Sequence, residues 1–138
     1  VIGLRYFNVY GIGQTNDYAG VITKFIDQIN LNKSPIIFGN GSHTRDFISV
    51  EDIAKANLLS MESNIDFSFF NIGTGISTSI KELAELMIEL SGKKLKINYG
   101  DLPLGDVKDS LAGVSLAKKL INWNHETSLK NGLKKFFF

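Results

Sequence analysis

Two polar side chains stand in apolar surroundings where chemistry could be done. Asn8 lies between Phe7 and Val9 at the end of an apolar run, and Arg45 follows "GNGSHT" immediately before "DFISV". An amide at the carboxyl end of a strand sits where open α/β sheets bind ligands, and it can donate to a phosphate oxygen. A guanidinium beside a glycine turn offers the planar fork that suits phosphate. Each residue also has a structural reading, Asn8 as a turn cap and Arg45 as a surface partner of Asp46. Other chemistry is thin. Cys is absent, and His43 and His125 are isolated, so disulfides and thiolate chemistry are excluded and no zinc-ligand spacing exists. There is no G-x-S-x-G, no H-E-x-x-H, and no Tyr followed four positions later by Lys. No catalytic residue and no metal ligand is assigned.

Three glycine pairs, "GIG" at 11–13, "GNG" at 39–41 and "GTG" at 73–75, invite a nucleotide reading. The dinucleotide fingerprint needs a further Gly three residues on, where this chain has Asn16, Thr44 and Thr78. "FFNIGTGISTSIKEL" comes nearest, because a strand enters and a capped helix leaves. That helix start could hold an anion, or the segment is a plain strand-to-helix turn.

The elements that must position these residues follow from the spacing of apolar side chains. "VIGLRYFNVYGIGQ" reads as a buried strand from its first residue, which predicts that further chain precedes and covers it. Val21, Ile22, Phe25, Ile26 and Ile29 form a helical stripe, as do Ile80, Leu83, Ala84, Met87 and Leu90. Ser79 with Glu82 predicts a capping box, Ser49 with Asp52 a similar start, and Gly92 a helix end. "SPIIFG", "TRDFISV", "FSFFNIG" and "KLKINYG" read as strands, and "SLAKKLI" and "TSLKNGLKKFFF" as short closing helices. Strands alternating with helices indicate an α/β fold with a mainly parallel sheet.

The chain has 138 residues, 43% of them hydrophobic and 21% charged, which suits one globular unit. A formal charge of +1 with scattered lysines gives no basic stripe for nucleic acid and no polybasic membrane patch. No apolar run is long enough for a membrane span. A cytoplasmic, metal-free protein is expected.

Together, "LRYFNVYGIGQ", "PIIFGNGSHTRDFISVEDIAKA", "FFNIGTGISTSIKELAELM" and "GDVKDSLAGVSLAKKLINW" resemble the carboxyl-terminal half of extended short-chain dehydrogenases/reductases, the NAD-dependent epimerases and dehydratases. Among them the nucleotide-sugar 4-epimerases of UDP-glucose type are most similar. The resemblance implies that residues 1–138 hold the last strands of a Rossmann-type parallel sheet and a small mixed α/β substrate-binding domain. The NAD-binding portion, with its glycine fingerprint and Y-x-x-x-K dyad, would precede them, so these residues alone are expected to be inactive and not to retain NAD. The resemblance further implies that Phe7 contacts the nicotinamide end of NAD and that Asn8 reaches the substrate's diphosphate. Val21 would line the nucleotide pocket, and Ile36, Ile37 and Phe38 would lay backbone along a uracil. Arg45 would hold the diphosphate, and Ser110 falls near a further substrate contact. The expected partner is a UDP-linked sugar, and a homodimer is expected. A 4,6-dehydratase and a non-catalytic nucleotide-sugar-binding module are the alternatives. Two departures stand out: Pro103 replaces an expected phosphate-gripping Arg, and Gly113 replaces a helix-starting Asp, leaving Ser115 to cap that helix.

Overall fold

The structure, a computed structural model, describes residues 1–18 and 20–138, with Tyr18 described by its backbone alone. The opening run forms one extended path that changes partner midway. Its first part, β1 (Ile2–Tyr6), pairs in parallel with β6 (Ser68–Ile72), and its second, β2 (Asn8–Tyr10), pairs in parallel with β5 (Phe47–Ser49). The exchange falls at Phe7 and Asn8, whose N–H groups donate to the carbonyls of Ile72 and Asp46 (3.1 and 3.0 Å). Asn8 therefore stands where the neighbouring strand changes, the kind of place at which parallel sheets open a crevice.

Between these strands run α1 (Val21–Asn30), β3 (Ile36–Phe38), the short β4 (Thr44–Arg45) and α2 (Val50–Glu62). After β6 come β7 (Thr78–Ser79), α3 (Ile80–Ser91), β8 (Asn98–Gly100), α4 (Ser115–Ile121) and α5 (Leu129–Lys134). β3 pairs in parallel with β8, and β4 pairs antiparallel with β7. The α/β class with parallel pairing is as the sequence pattern predicts.

Both helical stripes are buried as their spacing requires, with Ile22, Phe25, Ile26 and Ile29 of α1 and Leu83, Ala84, Met87 and Leu90 of α3 sharing one core with Ile37 and Leu133. A second core joins Ile48, Ile53, Ala56, Phe70, Ile72 and Trp123 between α2, α4 and the parallel strands. Ser79 and Glu82 make the full capping box, and Gly92 ends α3 in the left-handed region at φ +67°. Ser49 caps α2 by accepting from the Asp52 N–H, and the Asp52 carboxylate accepts from the Ser49 hydroxyl (3.2 Å) and from the N–H groups of Glu126 and Thr127 (2.9 and 3.0 Å). It thereby ties the carboxyl-terminal segment to the second core.

Three local readings are corrected. "TRDFISV" is two strands, because the buried Asp46 interrupts it and its neighbours pair in opposite senses. "KLKINYG" is extended only at Asn98–Gly100, where β3 supplies a partner, while Leu95 and Ile97 pack against the first core. Ser115 does not cap α4; the position before the helix is Val114, with no side-chain cap.

Candidate functional site

The main cleft, about 310 Å³, lies between α1, β3 and the ends of β2 and β4. Asn8, Val21, Ile36, Ile37, Phe38 and Arg45, six of the eight residues singled out from the sequence, line it. The other two, Phe7 and Ser110, line a neighbouring open depression with Arg5, Tyr6 and Asn71, and Asn8 borders both. Asn8 thus joins the two spaces at the point where β1 passes into β2.

One wall is the edge of β3. The Asn98 N–H donates to the Pro35 carbonyl (2.9 Å), and the Gly39 N–H donates to the Gly100 carbonyl (2.8 Å). In a parallel ladder alternate residues turn their peptide groups to the partner, so Pro35, Ile37 and Gly39 face β8. The peptide groups of Ile36 and Phe38 face the opposite edge, where no further strand pairs among the described residues. The Ile36 N–H on that edge is taken by the Gln28 side-chain oxygen at 3.1 Å. The Ile36 carbonyl and the Phe38 N–H are left as an acceptor and a donor side by side. Side chains obey the same alternation: Ile37 is buried, and Ile36 and Phe38 are exposed.

The opposite end of the cleft is polar. Arg45 is held at both terminal nitrogens: Nη1 donates to the carbonyls of Thr44 (2.7 Å) and Lys108 (3.4 Å), and Nη2 to Asp106 Oδ1 (3.0 Å). Asp106, not the sequence neighbour Asp46, is its ion-pair partner, and the second Asp106 oxygen meets His43 Nδ1 at 3.1 Å. The segment bearing Asp106 is laced to β4 by Thr44 Oγ1 donating to Asp109 (2.7 Å), Thr44 N–H to Lys108 (2.9 Å) and Ser110 N–H to Thr44 (3.2 Å). Lys24 adds a second cation one turn into α1, a helix whose start at Gly20 carries no side-chain cap. An α1 start without a side-chain cap and two cations, Arg45 and Lys24, on the lining of one cleft make a place for an anion, with Asp106 the one acidic side chain beside them among the described residues.

Asp46 explains both the rigidity of this end and the fate of the "GTG" turn. Its fully buried carboxylate accepts from the Thr74 N–H (2.8 Å) and hydroxyl (2.6 Å), the Gly75 N–H (2.8 Å) and the Ala112 N–H (3.2 Å). The turn's amides are therefore bound to an internal carboxylate, and the segment is a structural strand-to-helix turn. Gly73 is required there because a Cβ would lie 2.5 Å from Ala112 Cβ and 2.9 Å from Asp46 Oδ2.

Sequence reasoning missed Lys24, Gln28 and Asp106. Lys24 and Gln28 are four apart on the polar side of α1, so their common direction was available from helical periodicity. Nothing local ties Asp106 to Arg45, 61 positions away. Among the described residues no group of three metal-ligating side chains occurs, and no helix is long and apolar enough to cross a membrane.

Residues 1–73 match the NAD dependent epimerase/dehydratase family, and the chain belongs to that family. It is 42% identical over 133 residues to a putative UDP-glucose 4-epimerase of Methanocaldococcus jannaschii, an alignment covering 96% of this chain and 43% of that protein. The UDP-N-acetylglucosamine 4-epimerase of Methanobrevibacter ruminantium, solved with UDP-N-acetylmuramic acid, superposes with a TM-score of 0.92 at 37% identity, covering 99% of this chain and 44% of the other. The UDP-glucuronic acid 4-epimerase of Bacillus cereus, solved with UDP-glucuronic acid and NAD, gives 0.88 at 30% identity, over 97% of this chain and 43% of the other. The chain therefore spans less than half the length of these relatives.

Proposed function

We propose that residues 1–138 are the carboxyl-terminal, substrate-binding portion of a UDP-sugar 4-epimerase. The observation that carries this reading is the composition of the main cleft. It sets a free peptide edge at Ile36–Phe38 opposite an anion-binding end at Asn8, Arg45 and Lys24. A uracil offers a carbonyl next to an N–H, which the Phe38 N–H and Ile36 carbonyl complement. The diphosphate then reaches Arg45 and the Asn8 amide, and Val21 and Phe25 supply the apolar floor. The sugar is directed past Asn8 toward the depression lined by Phe7 and Ser110.

That depression opens at the carboxyl ends of the parallel pair β1 and β6, and the rings of Tyr6 and Phe7 on its lining suit the flat face of a nicotinamide. Phe7 would form part of the wall. NAD, when bound, would supply hydride removal from C4 of the sugar and its return to the other face. With neither G-x-G-x-x-G nor Y-x-x-x-K among these residues, this chain's contribution is binding and orientation. Coverage of only 43–44% of the solved relatives supports placing the cofactor loop and the dyad in another part of the protein. A homodimer in the cytoplasm belongs to the same reading. Exposed Phe67 and Phe69 offer apolar surface for such contact.

The intact protein carrying this sequence, incubated with UDP-glucose, UDP-N-acetylglucosamine or UDP-glucuronate, should form the C4 epimer of at least one, read by proton NMR of the anomeric signals. A 4-keto-6-deoxy product would make it a dehydratase, and tight binding without conversion a sugar-nucleotide-binding module.

A further inference from the structure

We infer that Gln28 is the residue that selects the nucleobase, by setting an amide donor beside the free edge of β3 and so rejecting guanine. This rests on the nucleotide reading of the main cleft and names the side chain that would give it base specificity. Gln28 lines the cleft from α1, and its oxygen accepts the Ile36 N–H at 3.1 Å. A backbone N–H can only donate, so the group facing it must be the amide oxygen and the orientation of the amide is fixed by chemistry. The Gln28 Nε2 is then turned away from that N–H, and it makes no hydrogen bond among the described residues.

Along the edge the free groups run in a defined order: the Gln28 Nε2 donor, the Ile36 carbonyl acceptor, and the Phe38 N–H donor. Uracil presents the complementary series of carbonyl, N–H and carbonyl. Guanine presents carbonyl, N–H and amino. The two strand groups alone accept both bases, because both contain a carbonyl beside an N–H. Only the third position separates them, and there guanine would set its amino group against the Gln28 amide donor, two donors with no acceptor between them. Hypoxanthine is the diagnostic base, since it has the size of guanine and lacks the amino group. If Gln28 decides, a purine is penalised mainly for its amino group; if the width of the cleft decides, both purines are penalised alike.

The experiment is calorimetric titration of the intact protein with UDP, GDP and IDP, for the wild type, Gln28→Glu and Gln28→Met. The wild type should bind UDP tightest and IDP at least several-fold tighter than GDP. Gln28→Glu keeps an acceptor for the Ile36 N–H but replaces the free donor by an acceptor. It should lower the UDP-to-GDP affinity ratio by ten-fold or more and reverse the preference of IDP over GDP. Its added charge repels all three diphosphates equally and cancels in the ratios. Gln28→Met removes the donor without adding charge and should lower the UDP-to-GDP ratio by about three- to ten-fold, the worth of one neutral hydrogen bond. Base ratios unchanged in both variants, or equal rejection of IDP and GDP by the wild type, would overturn the role of Gln28 while leaving the uridine site standing. A wild type that binds no UDP would overturn the site and this inference together.

Discussion

Replacing Arg45 by Ala tests the anion-binding end of the cleft, and the structure sets what should be lost. The Arg45 side chain is only 15% exposed, and its guanidinium is held by two carbonyls and Asp106. It is therefore pre-positioned, and little ordering is needed when a phosphate arrives. A hydrogen bond to a charged group contributes about 1.5–3 kcal/mol, so Arg45→Ala should weaken UDP binding by roughly ten- to hundred-fold. Arg45→Lys should recover only part, because an ammonium cannot make the two-pronged contact. The cost in stability is a separate quantity. Asp106 is 42% exposed, so the pair it loses contributes about 0–1 kcal/mol, the two carbonyl bonds add about 0.5–1.5 kcal/mol each, and the melting temperature of the intact protein should fall by several degrees. The assay is titration calorimetry with UDP on the intact protein at fixed ionic strength, beside a thermal melt. An unchanged dissociation constant with a large fall in melting temperature would refute the reasoning and make Arg45 a structural clamp for the Asp106 segment.

Asp46→Ala should be among the most destabilising single changes, about 3 kcal/mol or more by chemical denaturation. It strips the N–H groups of half-buried Thr74, of Gly75 and of buried Ala112 of their shared acceptor, and Asp46→Asn should recover part of the loss. Tyr10→Phe should be neutral or stabilising by up to about 1 kcal/mol, because the Tyr10 hydroxyl is buried with no hydrogen-bond partner among the described residues and packs against Gly132. Burial, then the carboxylates of Asp52 and Glu51, hold that phenol well above its ordinary range, so the change should leave the pH dependence of stability near neutrality unaltered. The Glu82 carboxyl is held below its ordinary value, first by the Ser79 backbone N–H and then by the Ser79 hydroxyl. Its contribution is therefore complete above the unfolded carboxylate pKa and is lost as pH falls through the lowered folded value. Denaturation between pH 3 and 7 should show Glu82→Gln losing most of its deficit at the acid end, with a deficit at neutral pH of about 0.5–1 kcal/mol for this exposed cap.

Much of this architecture was legible because it is written locally. The stripes of α1 and α3 and the Ser79–Glu82 box involve residues three or four apart, and each forms as its spacing requires. The eight site residues came from a family resemblance added to local chemistry, and six of them share one cleft. What escaped was decided by partners distant in sequence. Asp46 looked like part of a strand because its four donors come from residues 74, 75 and 112. Asp106 carries no local signal, although it closes on Arg45 and His43. Strand β8 is shorter than its apolar alternation implies because ladder pairing exists only where β3 supplies a partner. Gln28 carried a signal, its helical spacing from Lys24, but its meaning depends on the Ile36 N–H that the fold brings to it.

The central claim, that the cleft between α1 and β3 is a uridine diphosphate site, is tested most directly by a crystal structure of the intact protein with UDP bound. The account predicts the base against the free edge of Ile36–Phe38 and a phosphate oxygen within hydrogen-bond reach of Arg45. UDP bound elsewhere on the protein, or this cleft remaining empty at saturating UDP, would contradict it.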